Sequence, residues 1–147
     1  MKKAMFRIGL MLALAFLAAA QFVRAQEPVQ ASIPFAFTAG DTALPAGEYR
    51  VEKVRDGSSI LLIRCTEGKP AIMVATLPAA TSEPQEKTKL IFHRYGNRYF
   101  LAQVWSAGSA DGRQLPKSAK EKEEALAASN AAPEQVTIVA SLASPKP

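Results

Sequence analysis

His93 is the only histidine of the chain. It lies in "LIFHRYGNRYFLAQVW", residues 90–105, with Arg94 and Tyr95 beside it and Arg98 and Tyr99 just beyond Gly96-Asn97. An imidazole can act as a general base, but a serine-type site also needs a nucleophile beside it and an acid to orient the ring. No Gly-x-Ser-x-Gly elbow occurs, and no serine is singled out by its setting. No catalytic residue is therefore assigned, and the chain is not expected to be an enzyme. One His and one Cys, far apart, cannot supply the usual zinc ligands. The acidic residues follow no calcium-loop spacing, so no metal or cofactor is expected. Asp41 and Glu48 flank a Pro-Ala-Gly turn and could form a carboxylate pair, although residues at such turns commonly serve the backbone. Glu121, Glu123 and Glu124 read as the solvated face of a charged helix. What remains is a rim of cations and rings, His93, Arg94, Tyr95, Arg98 and Tyr99, suited to contact with a ligand or a partner.

The elements that would carry this rim are strands. In "VQASIPFAFT" the apolar residues Val29, Ala31, Ile33, Phe35 and Phe37 alternate with polar ones, the pattern of a half-buried strand. Pro34 within it suggests an edge or a bulge. Gly40-Asp41 and Leu44-Pro45-Ala46-Gly47 read as turns. Strands then follow from Tyr49, over Ile60–Cys65 and over Ala71–Leu77, with a loop from Pro78 to Lys87. Gly96-Asn97 marks a two-residue type II′ hairpin. This pairs His93 with Phe100, Phe92 with Leu101 and Arg94 with Tyr99. One face then carries Leu90, Phe92, Tyr99, Leu101 and Trp105. The other carries Ile91, Tyr95, Phe100 and Val104, with His93 and Arg98 among them.

Ser118-Ala119-Lys120-Glu121 is a capping box. It opens a helix running to about Ser129, whose thin apolar stripe suits the surface. A last strand follows over 136–142. The expected fold is all-β: a small antiparallel sandwich or barrel of about seven strands, with one C-terminal surface helix before the last strand.

Met1-Lys2-Lys3 through Arg7 is a basic opening, followed by uncharged residues from Ile8 to Val23. Val23-Arg24-Ala25 then suits signal peptidase. The run is short for a membrane span and leads into the polar Gln26-Glu27-Pro28. Residues 1–25 are thus expected to be a cleaved secretory signal, with Ala20 as a second possible cut. Residues 26–143 would form a single β-rich domain, and 144–147 a flexible tail. The mature chain would have no transmembrane helix and would be periplasmic or extracellular. The formal charge of +5 includes Lys2, Lys3, Arg7 and Arg24; without residues 1–25, 14 basic residues face 13 acidic ones. A near-neutral chain gives no support to nucleic acid as a partner. Cys65 is the only cysteine, so no internal disulfide forms. Its place after Ile60-Leu61-Leu62-Ile63 favours burial.

Three blocks, "IPFAFTAGDTALPAGEYRV" (33–51), "LIFHRYGNRYFLAQVW" (90–105) and "GRQLPKSAKEKE" (112–123), carry a family resemblance. The chain resembles a family of small uncharacterised exported bacterial proteins of the acidobacterial type. That resemblance implies export and a β-rich domain, and it supplies no catalytic residues. The function expected is a secreted or periplasmic non-catalytic β-domain, structural or interacting in the cell envelope, with a protein or an envelope component as partner. The alternative is a small-ligand-binding barrel that uses the hairpin 90–105.

Overall fold

The computed structural model describes residues 28–142 except Asp56 and Lys69. The segment expected to be an export signal and the tail at 144–147 lie outside the described residues. Among the described residues the chain runs β1 (Val29–Ile33), β2 (Phe37–Ala39), β3 (Thr42–Leu44), β4 (Gly47–Lys53), β5 (Ile60–Cys65) and β6 (Ala71–Ala75). It continues through β7 (Leu77–Ala80), β8 (Lys89–Tyr95), β9 (Arg98–Trp105) and β10 (Asp111–Gln114) to helix α1 (Ala119–Ala127), then β11 (Glu134–Val139) and β12 (Ser141–Leu142).

These strands make two sheets around one core, an all-β sandwich-like fold. The first sheet has the order β12-β1-β4-β5-β6. The second has the order β11-β8-β9-β10-β7, with the β2–β3 hairpin set against β9. Pairings are antiparallel apart from a parallel contact of β2 with β9 at Thr38 and Phe100. Alternation builds the core: β1 reads buried, exposed, buried from Val29 to Ile33. Ile33, Tyr49 and Ile63 of the first sheet meet Phe37, Leu90 and Phe92 of the second. Each large apolar side chain so enclosed contributes about 1.5–3 kcal/mol.

Among the described residues the chain forms twelve strands where the sequence pattern suggested about seven. Most of the difference has one cause: three of the apolar runs change sheets partway along. The run from Val29 leaves the first sheet at Pro34 and enters the second at Phe37. The run from Ala71 crosses at Thr76, so Leu77, expected to end that strand, and Pro78–Ala80, expected to open a loop, together form β7 at the edge of the second sheet. Pro78 is tolerated there because an edge strand need not donate every N–H. The run from Glu134 crosses back at Ala140, so the helix precedes two strands rather than one. Bends that pass a strand between packed sheets form the corners of such folds. The short β3 and β10 complete the count, and neither has the composition of a strand.

The corners are hydrogen-bonded. Thr76 is buried, and its N–H and hydroxyl both donate to Ser59 O, at 2.8 and 2.5 Å. The hydroxyl of the fully enclosed Tyr49 donates to Pro45 O at 2.6 Å and clamps the Pro-Ala-Gly turn. Burial raises the Tyr49 pKa above its usual value, and the nearby Cys65 thiol adds to the effect. Cys65 ends β5 half-buried against the edge of the core, less enclosed than its neighbours suggested.

Candidate functional site

The register of the β8–β9 hairpin follows its turn. Gly96 has φ +61°, the positive value that the first position of a type II′ turn requires. His93 faces Phe100, Phe92 faces Leu101 and Arg94 faces Tyr99. Beyond them the register shifts: Ile91 pairs with Gln103, and Ala102 is left over as a β-bulge. The extra residue reverses the faces of everything after it. Val104, opposite Leu90, joins the core between the sheets, whereas Trp105 leaves it. Uninterrupted alternation had placed these two residues the other way round.

The outer face of the hairpin therefore carries a second apolar cluster. Tyr95, Phe100 and Trp105 are buried there, and the Tyr95 and Phe100 rings meet edge-on at 5.8 Å. Beyond β10 the Leu115 N–H donates to Ala102 O at 2.8 Å, with its side chain in the core between the sheets, and α1 then meets this outer face through Glu121 and Glu124. Room for the indole comes from Gly112, where a Cβ would sit 2.6 Å from Trp105 Cε3.

Helix α1 is fastened to this face by polar groups. Ser118 Oγ accepts from the Glu121 N–H at 3.1 Å, as the capping pattern predicts. The Glu121 carboxylate, however, does not belong to a solvated face. Glu121 is only 4 % exposed and is the one buried residue of the helix. Its Oε2 accepts from Tyr95 OH at 3.1 Å and lies 3.2 Å from His93 Nδ1. One turn on, Glu124 pairs with Arg98 at 3.0 Å. The serine cap aims Glu121 into the sheet, so the residue that looked like surface charge is the helix anchor. Its spacing from Ser118 was visible in the sequence; its burial partners were not.

The five hairpin residues expected to form one rim divide by face. His93, Tyr95 and Arg98 meet α1. Arg94 and Tyr99 lie on the opposite face, where Phe35 stacks on the Tyr99 ring at 3.9 Å and the Arg94 guanidinium sits 5.5 Å from the Tyr99 centroid. Arg94 also approaches Glu134 of β11 at 3.6 Å. Asp41 and Glu48 are exposed on different sheets, Asp41 in the β2–β3 turn and Glu48 in β4.

A carboxylate beside an imidazole is half of a base-and-orienter arrangement. The hydroxyl that completes the trio, Tyr95, is no nucleophile. Burial, and after it the charge and hydrogen bond of Glu121, push its pKa up to about 12. It stays protonated at neutral pH and serves as a donor. Among the described residues no group of three or more His, Cys, Asp and Glu side chains could hold a metal ion. Among the same residues no helix is long and apolar enough to cross a membrane. Comparison of the chain with protein-family models, with curated proteins and with solved structures finds no match.

Proposed function

We propose that the chain is an exported, non-catalytic β-sandwich that acts in the cell envelope through contact with a protein or an envelope surface. The observation that carries this reading is the outer face of the first sheet beside β6. Among the described residues β6 pairs only with β5, so its outer edge has no partner strand. Met73 on β6 is 67 % exposed, and Ile60 on β5 is also open to solvent. The register places Met73 beside Leu62, and Ile60 beside Ala75, on this same face. An apolar strip next to an unpaired edge is a surface that a partner can cover. The groups best suited to chemistry, by contrast, are engaged with one another: the buried Glu121 with His93 and Tyr95, and Glu124 with Arg98 at the surface.

A photo-cross-linking side chain at Met73, introduced in the native host, tests the reading. The control is the same group at Leu126, equally exposed on α1. A discrete adduct from position 73 in the envelope fraction, lost on Ile60→Lys substitution and not formed from position 126, is the expected result. No adduct from position 73, or equal adducts from both, would overturn it.

A further inference from the structure

A cleft of about 1170 Å³ opens between the sheets at the end away from the Gly96 turn. Ligand sites usually measure roughly 300–1,000 Å³, so the space accommodates a small organic molecule. None of the five hairpin residues His93, Arg94, Tyr95, Arg98 and Tyr99 lines it.

Its lining follows from strand alternation. Val51 and Leu61 of the first sheet and Val104 of the second make an apolar floor, each of them buried in the core cluster. Two residues beyond Val51, Lys53 falls on the same inward face of β4. On the opposite wall Arg113 pairs with Val104 in the β9–β10 register, which turns it inward as well. The sandwich thus brings a cation from each sheet to one apolar space. Neither Lys53 nor Arg113 takes part in an ion pair among the described residues. Arg113 is held in place: its Nε donates to Thr76 Oγ1 at 2.9 Å, at the corner where the chain changes sheets. Asp111 also lines the cleft, two residues along β10. Arg50 and Glu52 line it too, paired with each other at 3.6 Å, so two carboxylates against three cations leave the lining with one positive charge in excess.

An apolar floor below two cations that no carboxylate pairs among the described residues matches one kind of molecule. We propose that the cleft binds a small amphipathic anion, with a chain or ring lying on Val51, Leu61 and Val104 and a carboxylate or phosphate head between Lys53 and Arg113. A neutral apolar ligand would leave the two cations without a counter-charge. A bare inorganic anion would leave the floor wet. A charge-assisted contact from each wall stabilises the head by an amount that a point mutation reads as about a tenfold change in affinity. This site goes beyond the contact surface proposed at Met73 and uses a different face of the molecule.

Calorimetric titration of the mature protein with decanoate, monodecyl phosphate, decanol and inorganic phosphate tests the inference. Saturable one-site binding of decanoate or monodecyl phosphate, about tenfold or more tighter than decanol or inorganic phosphate, is expected, and the tighter of the two amphiphiles identifies the head group. Lys53→Gln, which disturbs no hydrogen bond to the framework, should weaken the anionic amphiphile about tenfold and leave decanol unchanged. Arg113→Lys should retain most of the affinity that Arg113→Gln loses. Ala80→Trp, projecting a ring into the mouth from β7, should abolish binding of every amphiphile. The inference is overturned if neither amphiphile binds, if inorganic phosphate binds as tightly as they do, or if Lys53→Gln and Ala80→Trp both bind like the unmutated chain. None of these outcomes alters the expected cross-linking at Met73, so the two proposals fail separately.

Discussion

Tyr95 keeps its proton because burial in a site only 7 % exposed disfavours the charged form, and ionising it there would also place a second negative charge beside the Glu121 carboxylate. Its pKa of about 12 in the folded chain lies above the ordinary value of 10.0. Below pH 10 the residue is protonated whether folded or not, and its contribution to stability is complete. As pH rises further the unfolded chain ionises first, so stability falls until the folded pKa is passed. The Tyr95→Phe variant should lose about 1–2 kcal/mol at pH 7 through the missing hydrogen bond. Its stability should also decline less steeply than wild type between pH 10 and 12. Urea unfolding across that range checks both, and parallel curves for the two proteins would contradict the assignment. Gly112 is a second residue with a specific job. A Cβ there would overlap the Trp105 ring, and backbone and indole are both enclosed. Gly112→Ala should therefore cost about 1–3 kcal/mol, as overpacking does, and shift the Trp105 emission; an unchanged melt and spectrum would refute the contact.

At the scale of elements, α1 and the hairpin act as one unit. The helix has a thin apolar stripe, and Leu126 remains exposed, so burial of carbon contributes little to docking it. The anchor is Glu121, and the cap at Ser118 orients Glu121. Replacing Ser118 with Ala removes the acceptor for the Glu121 N–H and should cost about 1 kcal/mol. Hydrogen exchange should quicken throughout α1 and at the His93 and Tyr95 amides beneath it. Faster exchange confined to Ala119 and Lys120 would mean that the cap serves only the helix end. The hairpin illustrates how far local pattern reaches. Gly96-Asn97 is a turn signal with a geometric cause, and the three pairs nearest it stand where that signal puts them. The bulge at Ala102 has no such signal. It depends on β9 reconciling β8 on one side with β2 and β10 on the other.

Over the whole molecule, three strand runs pass from one sheet to the other, so neither sheet is a separate unit. Unfolding either would pull residues out of its partner. Trp105 fluorescence, which reports on the second sheet, and thiol labelling of Cys65 in the first should therefore show the same midpoint in urea. Two separated midpoints would show that the corners do not couple the sheets. The basic and then apolar start of the chain leads to an expectation at the same scale. The protein recovered from its host should begin at Gln26 and lack residues 1–25. Intact-mass measurement decides this, and a chain retaining Met1 or Lys2 would exclude the cleaved-signal reading.

The sequence alone determined the all-β class, the alternating core of β1, the hairpin at Gly96-Asn97 and the cap at Ser118. Each depends on neighbours within a few residues: a period of two, a positive φ, a hydroxyl three residues before an amide. Only the tertiary structure decided which sheet each half of a run joins, that Trp105 leaves the core while Val104 enters it, and that Glu121 is buried against His93 and Tyr95. It alone brings Lys53 and Arg113 to one cleft from opposite sheets. These outcomes are set by pairings between distant segments. A single inserted residue reverses every side chain after it, and a single bend reassigns a strand, yet neither changes the local pattern of apolar and polar residues.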